Sequence, residues 1–136
     1  MRAVLLDTNA VTALFRGDRK LLDVLAKAEC VYASVIMIGE LEAGFRGGSR
    51  YAENLAVLER FLAKPTVEIL AVSRDTSNCF GRIKNTLKAK GNPIPVNDVW
   101  LAAQCLETGA VLLTYDQHFG AIHGLRVWPE ALPPQS

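Results

Sequence analysis

RAVLLDTNA, residues 2–10, passes within nine positions from an apolar run to a polar cluster. Val4, Leu5 and Leu6 show no alternation of wet and dry positions, the pattern of a strand covered on both faces. Asp7, Thr8 and Asn9 follow at once and read as the start of a helix. A strand with two dry faces belongs in a sheet sandwiched between helices. The rest of the chain repeats the arrangement. CVYA (30–33), VEILAV (67–72), AVLLT (110–114) and LRVW (125–128) read as further strands. Helical spacing fills Asp18 to Glu29, Ser34 to about Phe45, Ser49 to Pro65, Ser73 to Lys90 and Asn97 to Thr108. Gly109 stands where a helix end favours a left-handed turn. Strands alternating with helices predict an α/β fold around a parallel sheet of about five strands.

The totals agree with one domain, expected over residues 1–130, with a disordered tail at 131–136. Fifteen basic and 14 acidic side chains leave a net charge of +1, so no global field advertises nucleic acid. Half of the residues are apolar, an excess that suggests surface given to a partner. Cys30, Cys79 and Cys105 are unclustered, against a disulfide framework or a zinc site and in favour of a reducing cytoplasm. No apolar run approaches the length of a membrane span, and no membrane role is expected.

In a parallel sheet, ligands bind beyond the carboxyl ends of the strands. Asp7 ends the first strand and Asp116 follows the fourth by two residues, so both belong at that edge. Each alone reads as a helix cap. Glu40 is more telling. At about 100° per residue, Glu42 and Arg46 mark the wet face of their helix, and Glu40 lies roughly 140° from its middle. Asp98, in PIPVNDVWLAA (93–103), behaves the same way. It falls between Ala102 and Cys105, away from the side marked by Gln104, Glu107 and Thr108. The helix dipole offers a first-turn carboxylate something like 0.3–1 kcal/mol. Desolvating an unpaired carboxylate costs several kcal/mol. The inward aim of Asp98 therefore needs another cause.

Two acids at strand ends and two on inward helix faces converge if the sheet is right. Each close pair of like charges costs on the order of 4 kcal/mol at an effective dielectric of about 20. No matching cluster of Lys or Arg lies beside them in sequence. Either some of the acids hold protons or a cation sits among them, and all-oxygen ligands favour Mg²⁺ or Mn²⁺ over zinc.

LLDTNA (5–10), SVIMIGELEAG (34–44), PIPVNDVWLAA and LLTYDQHF (112–119) resemble, in that order, the motifs of PIN-domain nucleases, in particular the VapC-type toxins of toxin–antitoxin pairs. The likeness runs from Leu5 to about Trp128. It implies a PIN-like three-layer α/β/α fold and a metal-dependent endoribonuclease, with transfer RNA a common substrate in the family. By the resemblance, Asp7 and Asp98 are the principal metal ligands, and Glu40 and Asp116 complete the site. Thr114 supports it through its hydroxyl, and Asn9 holds the turn. A VapB-like antitoxin and a homodimeric state are implied as well. Tyr115 and Trp100 depart from the usual pattern beside the acids and are expected to shape the pocket mouth or stack on a base. His118 and His123 are read as surface or loop residues outside the chemistry.

Arg74, Arg82, Lys84, Lys88 and Lys90 against the single acid Asp75 form a local basic stretch, either a solvated helix face or a phosphate track leading to the Asp98 loop. Arg46 and Arg50 are candidates for the opposite wall. Three rivals remain. A phosphotransferase of the haloacid-dehalogenase kind expects a second aspartate where Asn9 stands. A catalytically silent PIN-like RNA-binding or interaction module would be marked by loss of one or more acids. A module whose acids only cap helices would bind no metal.

Overall fold

The computed structural model describes residues 2–129. The strands are β1 (Ala3–Leu6), β2 (Cys30–Ser34), β3 (Val67–Leu70), β4 (Val111–Leu113) and β5 (Val127–Trp128). They form one sheet in the order β3-β2-β1-β4-β5, every neighbouring pair parallel. The helices are α1 (Thr8–Phe15), α2 (Arg19–Lys27), α3 (Val35–Arg46), α4 (Tyr51–Leu62), α5 (Arg74–Ala89) and α6 (Val96–Thr108). The sheet flanked by these helices is the expected three-layer α/β/α architecture. The expected tail at 131–136 lies outside the described residues.

β1 is the central strand, and Val4, Leu5 and Leu6 are fully buried. This is why RAVLL carries no polar alternation: both faces of β1 are covered and both edges are paired. From β1 the chain adds β2 and β3 on one side, then returns to add β4 and β5 on the other. That reversal opens a crevice between the carboxyl ends of β1 and β4. The register pairs Leu6 with Leu113, so the next residues of both strands, Asp7 and Thr114, emerge side by side.

Local chemistry sets most boundaries. Ser34 caps α3 by accepting from the Ile36 amide. Ser73 and Thr76 form a reciprocal capping box at α5. Gly109 ends α6 at φ 77°, the left-handed geometry that a side chain resists. Ser49 does not open α4, whose cap residue is Arg50 with no side-chain bond.

Gln104 corrects the assignment of the wet side of α6. It is fully buried, and its side-chain amide donates to the Leu70 and Ala71 carbonyls at 3.3 Å, tying α6 to the end of β3. Its neighbour Glu107 accepts from Thr76 and Ser73 at the start of α5. The polar side of α6 is thus half an interface with α5 and β3. Among the described residues no helix is long and apolar enough to cross a membrane, and the three cysteines are free.

Candidate metal centre

Asp7 is both a cap and something more. Its Oδ1 accepts from the Ala10 amide at 2.8 Å, closing the first turn of α1. Its Oδ2 accepts from the Thr114 hydroxyl at 2.5 Å, across the β1–β4 crevice. Thr114 in turn accepts from the Asp116 amide at 2.9 Å, shaping the turn that carries Asp116. Asp116 precedes a short 3-10 turn, Gln117–Ala121, and its side chain makes no capping bond. A carboxylate has about four lone-pair directions, so Asp7 retains acceptor capacity after its two internal bonds.

Glu40 reaches the same place from α3, held by the Thr8 hydroxyl at 2.5 Å. Asp98 comes from the first turn of α6. The cap position there belongs to Pro95, with no side-chain bond, so Asp98 is not a cap. Its Oδ2 lies 2.9 Å from Nε2 of His118. A cleft of about 400 Å³ is lined by all four acids together with Thr8, Asn9 and His118, and among the described residues no Lys or Arg lines it.

Electrostatics register the crowding. Burial pushes the Asp7 carboxyl above its ordinary pKa, its bonds from Thr114 and Ala10 oppose this, and the charges of Asp116 and Asp98 add to it. Burial likewise raises Asp98. His118 opposes the rise, and Glu40 and Asp116 reinforce it. Each aspartate thus feels acids from other elements of the cleft, a field that a divalent cation would relieve. The carboxylate oxygens converging on one cleft are the donor type that Mg²⁺ and Mn²⁺ take. The residues present therefore fit such an ion.

Several expectations change. His118 is not a bystander: its ring contacts Asp98, and one ligand atom from each of Asp98, Asp116 and His118 lies within 4.8 Å of the other two. Asn9 is exposed on the cleft and makes no side-chain hydrogen bond among the described residues, so it does not hold the turn. Thr8 does the bonding instead, a role hidden in sequence because Glu40 is 32 positions away. Trp100 stacks on Phe80 with ring centroids 3.9 Å apart, joining α5 to α6 away from the cleft. The Tyr115 hydroxyl donates to Asp18 at 2.8 Å, and its ring does not line the cleft. Arg46 pairs with Glu42 at 3.5 Å and Arg50 pairs with Glu53, both at the surface, and neither lines the cleft. His123 lies apart, in a groove between α5 and the 3-10 turn.

A parallel sheet reversing at β1 and β4, with carboxylates gathered over the reversal, is the architecture of a PIN domain. The chain belongs to the PIN-domain family, whose profile matches residues 4–125. Relatives within that family include VapC ribonucleases. It is 30% identical over 116 residues to Ribonuclease VapC1 of Haemophilus influenzae, covering 82% of this chain and 85% of that one. It is 28% identical over 125 residues to Ribonuclease VapC5 of Mycobacterium tuberculosis, covering 90% and 89%. Among solved structures, VapBC2 from Rickettsia felis, bound to a DNA fragment from the promoter, aligns with a TM-score of 0.81. That alignment has 25% identity and covers 92% of this chain and 96% of that one.

Proposed function

We propose that this protein is a metal-dependent endoribonuclease, the toxin of a type II toxin–antitoxin pair, which hydrolyses phosphodiester bonds in RNA. The observation that carries the reading is the convergence of Asp7, Glu40, Asp98 and Asp116 on one cleft at the sheet's reversal. A silent scaffold would have no need to keep four acids together against their mutual repulsion. The kinship with VapC ribonucleases supports the same activity.

Asp7 and Asp98 are the principal ligands for Mg²⁺ or Mn²⁺, with Glu40 and Asp116 completing the site. A divalent ion held there would offset the acids and supply Lewis-acid chemistry, polarising the scissile phosphate and easing ionisation of water. Thr114 holds Asp7 and positions Asp116, and Thr8 holds Glu40. Glu40 or Asp116 orients the attacking water and accepts its proton. Arg74, Arg82, Lys84, Lys88 and Lys90, all exposed, supply positive charge along α5 toward the loop that leads to Asp98.

We assign a VapB-like antitoxin as partner, in keeping with the VapBC structures that the fold resembles. An apolar cleft of about 510 Å³ between α1, α2, α4 and β3, lined by Leu14, Phe15, Leu25 and Phe61, suits part of such a partner. Homodimerisation and a cytoplasmic location complete the proposal. The test is incubation of partner-free protein with transfer RNA, with Mg²⁺, with Mn²⁺ and with a chelator. Metal-dependent cuts leaving 5′-phosphate ends support the reading. RNA left intact with either ion contradicts it.

A further inference from the structure

We infer that His118 is an additional ligand of the bound ion, giving the Asp98–Asp116 side of the cleft one nitrogen donor and a preference for Mn²⁺ over Mg²⁺. The inference rests on reading the cleft as a metal site, and it goes beyond the four acids.

His118 projects from the 3-10 turn two residues after Asp116, its side chain is 34% exposed, and it lines the cleft. Its Nε2 lies 2.9 Å from Oδ2 of Asp98. Ligand bonds of about 2.1 Å to an octahedral ion place adjacent donors about 3 Å apart and opposite donors about 4.2 Å apart. The Asp98–His118 separation matches an adjacent pair. One ligand atom from each of Asp98, Asp116 and His118 already lies within 4.8 Å of the other two, so only small shifts close the group to octahedral spacing. The ring can present its lone pair at Nε2 when the proton resides on Nδ1. The same nitrogen lies within hydrogen-bond distance of Asp98, which holds it at the site's rim.

A nitrogen donor discriminates between ions. Carboxylates serve Mg²⁺ and Mn²⁺ alike, whereas imidazole suits transition ions. Mn²⁺ therefore gains from His118 a contact that Mg²⁺ uses poorly. A purely supporting role, with His118 donating to Asp98 and nothing more, would affect both ions equally.

The experiment loads the full chain with Mn²⁺ alone and looks by pulsed electron paramagnetic resonance for nitrogen coupled to the ion. Wild type and His118→Gln are compared, and Mn²⁺ and Mg²⁺ affinities are measured calorimetrically for both. The expected result is strong imidazole coupling in the wild type and none in His118→Gln. Mn²⁺ affinity should fall about tenfold, with Mg²⁺ affinity changed by less than about threefold. Mn²⁺ bound without nitrogen coupling, coupling that persists in His118→Gln, or equal losses for both ions would each overturn the inference while leaving the metal site intact. A wild-type chain that binds no Mn²⁺ would overturn this inference and the metal reading together.

Discussion

The Thr114 hydroxyl and the Asp7 carboxylate, 107 positions apart in sequence, meet at 2.5 Å across the β1–β4 crevice. The contact follows from strand register: Leu6 pairs with Leu113, so the next residue of each strand faces the same opening. Thr114 thereby fixes one oxygen of Asp7 and, through the Asp116 amide, the turn behind it.

Thr114→Val keeps the volume but removes the hydroxyl, leaving buried Asp7 short of a donor. Loss of a partner that orients a ligand costs roughly 10–100-fold in metal affinity, and cleavage should fall by a comparable factor. Thr114→Ser should stay near wild type. Calorimetric Mn²⁺ titration and single-turnover cleavage of the two variants check this.

The strand-end acids were legible because a dry strand announces its own end: Asp7 follows β1 directly and Asp116 comes in the turn just past β4, so both must stand near the sheet's edge. Glu40 and Asp98 were legible from helical phase. Contacts between elements were not. Nothing around His118 signals that Asp98, 20 positions earlier, stands across from it. Gln104 looked solvated because a glutamine facing two strand-end carbonyls and one facing water are the same letter. Trp100 and Tyr115 looked like pocket residues by adjacency to acids. Their partners, Phe80 and Asp18, lie on elements whose packing no local pattern encodes.

Asp98→Asn should raise the stability of metal-free protein at neutral and alkaline pH. The folded-state pKa of Asp98 is raised above the ordinary 3.8. The folded chain therefore holds this proton more tightly than the unfolded one, and stability is lost as pH rises through the folded-state value. The asparagine carries no charge and avoids that loss. In chelator, its melting temperature should exceed the wild type's at pH 8, with the gap closing toward pH 3.8 and below. With saturating Mn²⁺ the order should reverse, because only the wild type gains full binding energy. Thermal melts across pH, with and without the ion, read both effects.

The same raised carboxylates predict proton release on metal loading. Asp7 and Asp98 must be ionised to act as ligands, and both hold protons above the usual aspartate range. Mn²⁺ affinity should climb with pH through their raised values and then level off. Release, measured by calorimetry in buffers of different ionisation enthalpy, should vanish on the plateau.

Lys84 and Lys88 lie on one side of α5, four residues apart and exposed. If they contact phosphates, Lys84→Ala/Lys88→Ala should weaken binding of single-stranded RNA without regard to sequence. Each lost phosphate contact should reduce the slope of log affinity against log salt by about 0.7. Salt titrations with a non-cleavable RNA test this, and an unchanged slope would return α5 to an ordinary solvated helix.

Metal-dependent hydrolysis at the converged acids is tested most directly by titrating Mn²⁺ into partner-free wild type and Asp98→Asn while following RNA cleavage in the same samples. The acid cluster predicts that the wild type binds Mn²⁺ and cuts only when loaded, and that Asp98→Asn, though folded, loses both. Metal-free cleavage by the wild type, or full binding and cleavage by Asp98→Asn, would contradict it.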